Sequence, residues 1–253
     1  MSSPFQSWQP ILVQAFAAAA LAMLATGLGA IPVLFTQRMP TRLMGAGYAL
    51  AGGMMLSVSY FDLVLPGLEA RQPWQLAVGF VAGALFFWLG DLYLEDKEWN
   101  VAGLHGSGGR RALLILGTMF VHSFPEGVAI GVGYASGKVG LGIFIALAIG
   151  IHNIPEGLAI SLPLAAQGVG FWRCCGYAIL SSLPQPVAVV PAVLLLSISR
   201  VLLPYGLGFA AGAMGYLVLA ELLPESFAAA GKHGTAWGFV AGFVLILLAQ
   251  YAL

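Results

Sequence analysis

The chain has 253 residues, of which 60% are hydrophobic and only 8% are charged. A soluble domain carries about 25% charged residues, so this composition, with a mean hydropathy of +0.92, predicts an all-α polytopic membrane protein. The formal net charge is zero, which argues against nucleic acid as a partner.

Polar residues divide the chain into eight apolar runs, each long enough to cross a bilayer as a helix. These predicted spans lie at about 10–35, 43–68, 75–95, 111–135, 139–164, 174–198, 203–225 and 235–253. Residues 1–253 are therefore expected to form a single transmembrane domain. Its longest polar loop, at 95–111, falls between spans 3 and 4. The N-terminal segment has no Lys or Arg before the first run, so we expect that run to remain as a span rather than act as a signal peptide.

We expect the protein to lie in the inner or plasma membrane of the cell, and the positions of Lys and Arg predict how its spans are oriented there. The loops after spans 1, 3, 5 and 7 hold seven basic residues: Arg38, Arg42, Lys97, Arg110, Arg111, Arg173 and Lys232. The loops after spans 2, 4 and 6 hold three: Arg71, Lys138 and Arg200. Because basic loops stay in the cytoplasm, this bias places both termini outside.

Spans 2 and 7 show internal similarity. The sequence AGGM at 51–54 resembles AGAM at 211–214, and each is followed by an acid and a proline, namely Asp62 and Pro66, then Glu221 and Pro224. The two spans run in opposite directions, as expected for the inverted repeats of transporters. Packing of small residues between helices is an alternative origin of the similarity.

The strongest functional signal is a pair of related motifs inside spans 4 and 5. HSFPEG occupies 122–127 and HNIPEG occupies 152–157. In each motif His and Glu are four residues apart, so they share one helix face. Ionisable groups at this depth usually mark a substrate or ion path. Because antiparallel neighbours bring the two faces together near the mid-plane, His122, Glu126, His152 and Glu156 form a candidate site for a divalent metal.

Two other interpretations of these four residues stay open. They could be two satisfied His–Glu pairs that only join the helices. A membrane-embedded metalloenzyme using the same cluster is the alternative function, although a zinc protease would require His-Glu-x-x-His on one helix, which neither motif has. The sequence GVGYASGK at 131–138 has the wrong glycine spacing for a phosphate loop, so ATP is not expected as a partner.

These motifs, together with GGMMLSVSYFDLVLPGLE at 52–69 and AAGAMGYLVLAELLPE at 210–225, resemble the ZIP (Zrt-/Irt-like) family of divalent metal transporters. The similarity is greatest to its GufA-like bacterial branch. It implies eight helices in a 3+2+3 inverted-repeat bundle and a metal centre between spans 4 and 5. It also implies secondary or facilitative transport into the cytoplasm by alternating access. The implied substrate is Zn²⁺, with Mn²⁺, Fe²⁺, Co²⁺ and Cd²⁺ as further candidates, and the implied assembly is a homodimer in the lipid bilayer without an organic cofactor.

The resemblance also assigns roles to residues. His122, Glu126, His152 and Glu156 match the primary metal site, while Ser123, Asn153 and Gln185 match ligands of a second site. Relatives often have glutamate at the Gln185 position and asparagine at the Ser123 position. A second dication would be poorly neutralised by uncharged ligands, so we expect one tightly held metal. Gln185 could instead be an amide that only packs helices.

Further acids match the two ends of the path. Asp62 and Glu69 resemble residues that receive the ion at the outer entrance, and Glu221, Glu225 and Asp91 would lie toward the inner mouth. His105, in the 95–111 loop, and His233, after span 7, are predicted to be cytosolic. That loop is rich in histidine in many relatives.

Overall fold

The computed structural model describes residues 4–35, 40–69, 73–95 and 106–252, although some side chains in these ranges, including those of Asp91 and His122, fall outside the description. Within these described ranges ten α-helices follow one another: α1 Pro4–Leu28, α2 Thr41–Val58, α3 Leu65–Glu69, α4 Pro73–Glu95, α5 Gly106–Ala135, α6 Val139–Ala166, α7 Phe171–Ser181, α8 Pro184–Ile198, α9 Leu203–Leu217 and α10 Leu223–Ala252. Short 3₁₀ turns cover Ile31–Leu34 and Arg200–Leu202. The described residues contain no β-strand, which confirms the all-α prediction.

Six helical segments are long and apolar enough to cross a membrane. They are Trp8–Leu34, Thr41–Glu69, Pro73–Gly90, Gly140–Leu162, Phe171–Ile198 and Leu203–Ala249. This count is for the described residues, and it supports a multi-pass membrane protein without confirming the predicted eight spans. The last segment has 47 residues, which at about 1.5 Å per residue is roughly twice the thickness of the hydrocarbon core. It is interrupted at Gly231, whose φ of 70° and ψ of 174° are not helical.

Span 6, predicted as one helix over 174–198, is broken in the middle. Helix α7 ends at Ser181 and α8 begins at Pro184. Pro184 and Pro186 have no N–H to donate, and proline disfavours a helical conformation at the residue before it. The break leaves Gln185 in the first turn of α8.

Two π-helical segments contain the acids of spans 2 and 7. Ser59–Val64 joins α2 to α3 and includes Asp62, and Val218–Leu222 joins α9 to α10 and includes Glu221. In the first, the N–H of Leu65 donates to the Tyr60 carbonyl five residues back. Such π segments are rare and occur often at functional sites.

The helices pack as two bundles. The site bundle consists of α1, α5, α6, α7 and α8, in which α5 packs on α8 and α1 on α6. The frame bundle consists of α2, α3, α4, α9 and α10, in which α2 packs on α10 and α4 on α9. Glycines make these pairings close: a Cβ on Gly83 of α4 would collide with the Phe209 carbonyl of α9, and one on Gly157 of α6 with the Thr26 carbonyl of α1.

Among the described residues, several side chains pack across the contact between the two bundles. A small core contains Met54 and Val58 of α2, Phe144 and Ala148 of α6, and Ile246 of α10. Phe124 of α5 packs against Phe86 of α4, with ring centroids 5.2 Å apart. Among the described glycines, those whose added Cβ would collide with a neighbouring helix backbone meet a helix of their own bundle.

The frame bundle contains an exact five-residue repeat that lies outside the predicted similarity of spans 2 and 7. GFVAG occurs at 79–83 in α4 and again at 238–242 in α10. A Cβ on Gly212 would collide with the Phe80 carbonyl, and one on Gly53 with the Phe239 carbonyl. These contacts pair Gly53 with Gly212, one residue away from the predicted alignment of 51–54 with 211–214. Asp62 and Glu221 share the same spacing of 159 residues.

Candidate metal centre

Three of the four predicted primary ligands meet inside the site bundle. Glu126 comes from α5, and His152 and Glu156 come from one face of α6. One ligand atom from each lies within 4.8 Å of the others, and all three residues are buried. The two helices meet because only Ser136, Gly137 and Lys138 separate them, with Gly137 at a φ of 88°. The side chain of His122 lies outside the described residues, while its backbone lies in α5 one turn before Glu126.

His152 lies between the two carboxylates. Its Nε2 is 2.5 Å from Glu126 Oε1, the distance of a short hydrogen bond in which the ring N–H donates to the carboxylate. The same Nε2 is 3.9 Å from Glu156 Oε1. A tetrahedral zinc ion with bonds of about 2.0–2.2 Å holds its ligand atoms roughly 3.5 Å apart. These three groups therefore need only small movements to share one cation.

The glycine that ends each motif allows a close helix contact beside its acid. A Cβ on Gly127 would collide with the Gln185 carbonyl of α8, and one on Gly157 with the Thr26 carbonyl of α1. Glu126 and Glu156 are thus each held next to a backbone contact with another helix. This close packing explains why a glycine follows the glutamate in both motifs.

Two of the three predicted second-site residues are hydrogen-bonded to the cluster of Glu126, His152 and Glu156: Gln185 directly, and Asn153 through Gln185. Gln185 Nε2 donates to Glu126 Oε2 at 2.5 Å, and Asn153 Nδ2 lies 3.3 Å from Gln185 Oε1. Asn153 Nδ2 also donates to the Ala22 carbonyl of α1 at 2.9 Å. The Ser123 hydroxyl is buried and donates to the Met119 carbonyl of its own helix at 3.0 Å. Ser123 is therefore engaged with its helix backbone.

The acids predicted along the path whose side chains are described, namely Asp62, Glu69, Glu221 and Glu225, lie outside the three-residue cluster. Asp62 is buried within its π segment, Glu221 is partly exposed within the other, and Glu225 is exposed. Glu69 is exposed and forms an ion pair with Lys138 at 3.2 Å. The side chain of Asp91 and the whole of His105 lie outside the described residues, and His233 is exposed on α10.

Two hydroxyl residues near the centre were missed by sequence reasoning. Thr26 of α1 and Ser182, in the break between α7 and α8, are buried, and their hydroxyl oxygens lie 2.7 Å apart. Ser182 is three residues before Gln185, and Thr26 is four residues after Ala22. The available signal was a polar residue inside an apolar run, but such residues are too common in membrane helices to identify these two.

Comparison with known proteins identifies the family. Residues 96–250 match the sequence model described as ZIP Zinc transporter, which covers more than half of the chain. The chain is 39% identical over 246 residues to the zinc transporter GufA of Myxococcus xanthus, covering 90% of this chain and 96% of GufA. The chain belongs to the ZIP family. The resemblance of the sequence to this family is therefore confirmed.

Other ZIP relatives support the same family assignment. The zinc transporter ZIPB of Bordetella bronchiseptica is 34% identical over 247 residues, covering 90% of this chain and 78% of ZIPB. A longer relative from Arabidopsis thaliana is 41% identical over 205 residues, and this chain spans only 33% of its length. The ZIP proteins GufA and ZIPB are named as transporters, so the chain is grouped with transporters and not with the metalloenzymes weighed as the alternative.

Proposed function

We propose that this protein carries zinc and related divalent cations across a cell membrane into the cytoplasm, with the cation held between α5 and α6. The observation that carries the proposal is the buried convergence of Glu126, His152 and Glu156. Family membership supports zinc as the substrate, since GufA and ZIPB are named zinc transporters. Imidazole and carboxylate ligands suit zinc and also accept manganese, iron, cobalt and cadmium.

Charge supports this assignment. Glu126 and Glu156 are buried, and two carboxylates without a cation are costly in a low-dielectric site. A dication bound to both gives a neutral assembly, and His122 and His152 would complete a four-ligand set. Because Ser123, Asn153 and Gln185 are uncharged, a second dication would lack neutralising charge, so we assign one tightly held ion to the centre.

The two bundles suggest how access alternates. Within each bundle, glycines bring backbones into direct contact, so each is expected to move as a unit. Between them, packing rests on side chains such as Phe124 against Phe86, which can exchange partners more readily. We therefore assign alternating access to movement of the site bundle against the frame bundle.

The topology proposed for this movement has eight spans in a 3+2+3 arrangement with both termini outside. Matched glycine contacts in the frame bundle support the inverted repeat, and the break at Gly231 supports division of the 47-residue segment into two spans. The seven-to-three bias of basic residues supports the orientation. On this topology Asp62 and Glu69 lie toward the outer entrance, and Asp91, Glu221 and Glu225 toward the inner mouth.

Reconstitution tests the proposal. The purified protein in sealed liposomes with a zinc-sensitive dye inside should admit zinc along its gradient without ATP. Protein-free liposomes and a Glu126→Ala/Glu156→Ala double variant are the matched controls. If wild-type vesicles stay as impermeable as these controls to zinc, cadmium, manganese, iron and cobalt, transport by this chain is refuted.

A further inference from the structure

A chain of buried hydrogen bonds joins the backbone of α1 to the metal centre. It begins at the Ala22 carbonyl, which accepts from Asn153 Nδ2 at 2.9 Å. Asn153 Nδ2 also donates to Gln185 Oε1 at 3.3 Å, and Gln185 Nε2 donates to Glu126 Oε2 at 2.5 Å. Asn153, Gln185 and Glu126 have no measurable exposure.

The direction of this chain is fixed by chemistry. A backbone carbonyl can only accept, so the group of Asn153 that faces Ala22 must be its NH₂. That NH₂ also faces Gln185, so the oxygen of the Gln185 amide must turn toward it. The remaining NH₂ of Gln185 therefore faces the carboxylate. Turning the Gln185 amide over would set its oxygen against Glu126 Oε2, two acceptors without a proton between them.

We infer that Gln185 and Asn153 are positioning residues for Glu126, and that Gln185 is not a metal ligand. This inference rests on the proposed function and deepens it. Gln185 holds one oxygen of Glu126 and leaves Oε1 directed at His152 Nε2. The Gln185 oxygen faces Asn153, so directing it at a cation bound by Glu126 would require the amide to turn over, and Gln185 would then lose its bonds to both Glu126 and Asn153. Where relatives have a glutamate, this chain supplies an N–H donor to the shared carboxylate.

The side-chain amides of Asn153 and Gln185 differ in whether their oxygen accepts a hydrogen bond. Among the described residues, none donates to Asn153 Oδ1, which is buried. The Gln185 oxygen has a donor, and its N–H serves Glu126. Partners of this kind, which orient a ligand without touching the metal, typically contribute ten- to a hundred-fold to metal affinity.

The hydrogen bonds from the Ala22 carbonyl through Asn153 and Gln185 to Glu126 are called the relay below. A double-mutant cycle on zinc affinity tests the relay in the detergent-purified, full-length protein. Gln185→Leu removes the donor to Glu126, and Asn153→Ala removes the group that orients Gln185. Each single variant should bind zinc about tenfold more weakly. The double variant should be no weaker than Gln185→Leu, because Asn153 acts through Gln185. Losses that multiply to about a hundredfold would overturn the relay.

Ser161→Ala is the matched control for this cycle. Ser161 lies on α6 two turns after Asn153, is buried, and has no hydrogen-bond partner for its hydroxyl among the described residues. It should leave zinc affinity unchanged. A control variant that weakens binding as much as Asn153→Ala would mean that any polar deletion in α6 disturbs the site, and would overturn a specific relay.

Infrared spectroscopy of the metal-free protein gives a second readout that does not require zinc. The carboxylate stretch of Glu126, identified by its loss in Glu126→Gln, should shift in Gln185→Leu because Oε2 loses its donor. An unshifted band would overturn the relay. If the wild type binds no zinc, the proposed function fails, while this band still decides whether Gln185 holds Glu126.

Discussion

Gly83 of α4 and Gly242 of α10 occupy equivalent positions in two matching helix pairs. A Cβ on Gly83 would collide with the Phe209 carbonyl of α9, and one on Gly242 with the Leu50 carbonyl of α2. Gly83 and Gly242 are 159 residues apart, as are Leu50 and Phe209. The same pair of contacts is therefore built twice in the frame bundle, which is the packing expected of two related repeats.

Substituting either glycine should destabilise the protein strongly. Because each added methyl group meets backbone rather than a movable side chain, Gly83→Ala and Gly242→Ala should each cost about 1–3 kcal/mol. Thermal unfolding in detergent, followed by size-exclusion chromatography, measures the effect. Gly176→Ala in α7 is the control, since its Cβ would meet nothing within 4 Å, and it should be neutral or slightly stabilising. Equal melting temperatures for Gly83→Ala and Gly176→Ala would contradict the packing.

Removing either buried acid of the centre should abolish transport. Glu126→Ala or Glu156→Ala leaves a dication with one carboxylate in a low-dielectric site, so both binding and movement should be lost. His122→Ala and His152→Ala should weaken binding less, because water can replace one neutral imidazole. Zinc uptake by liposomes and zinc affinity of the purified variants are the measurements. Normal uptake by both glutamate variants would locate the path elsewhere in the chain.

The acids in the π segments should affect movement more than binding. Asp62 and Glu221 lie outside the three-residue cluster, each in a π-helical segment. Asp62→Asn and Glu221→Gln should each lower the rate of zinc uptake several-fold, because each removes a carboxylate from the proposed ion path. The zinc affinity of the centre should stay within about twofold of the wild-type value, because neither carboxylate belongs to the cluster that holds the ion. Leu68→Ala, an exposed position on α3, is the control for span 2. A loss of central affinity equal to that of Glu126→Ala would mean that these acids ligate the same ion.

Much of the centre could be predicted from sequence because its geometry is local. His152 and Glu156 share a face through their spacing of four, and a three-residue turn makes α5 and α6 antiparallel neighbours, so Glu126 had to fall near them. The contact of Asn153 with Ala22 could not be predicted, because it depends on how α1 docks against α6. The role of Gln185 depends on the break at Ser182, for which Pro184 and Pro186 were a signal.

The frame bundle was harder to predict than the centre. The repeated GFVAG was visible in the sequence, but its meaning depends on which backbone each glycine approaches. The alignment of the two repeats follows from those backbone contacts, which make Gly53 equivalent to Gly212. The π segments carry no reliable signature in sequence, since proline after an acid is also compatible with an ordinary kink.

On the proposed topology, neutralising Lys138 should change zinc capture at the outer entrance. Lys138 lies in the turn between α5 and α6, and its ammonium is 3.2 Å from Glu69 at the end of α3, with side chains 67% and 68% exposed. An exposed pair of this kind contributes little to stability. If Glu69 receives incoming cations, Lys138→Gln should lower the zinc concentration for half-maximal uptake, and Glu69→Gln should raise it. Both effects should shrink at about 1 M salt, where the Debye length is near 3 Å. Effects that persist at high salt would exclude this electrostatic explanation.

Gln185→Glu should create a stronger second cation site next to the first. The new carboxylate would face Glu126 Oε2, where Gln185 now donates an N–H at 2.5 Å. Two carboxylate oxygens at that separation repel each other unless a proton or a cation lies between them, so added negative charge favours a second ion. We therefore expect one zinc per wild-type chain and up to two per variant chain at equal free zinc, counted by mass spectrometry of the purified proteins. The variant should also transport more slowly, because an ion held more tightly leaves more slowly.

Gln167→Glu is the control for this prediction. Gln167 follows the last residue of α6 and is exposed, so the variant adds the same charge far from the centre and should bind one zinc. Two tightly bound ions in the wild type, unchanged in the variant, would mean that neutral ligands suffice and that charge does not limit occupancy.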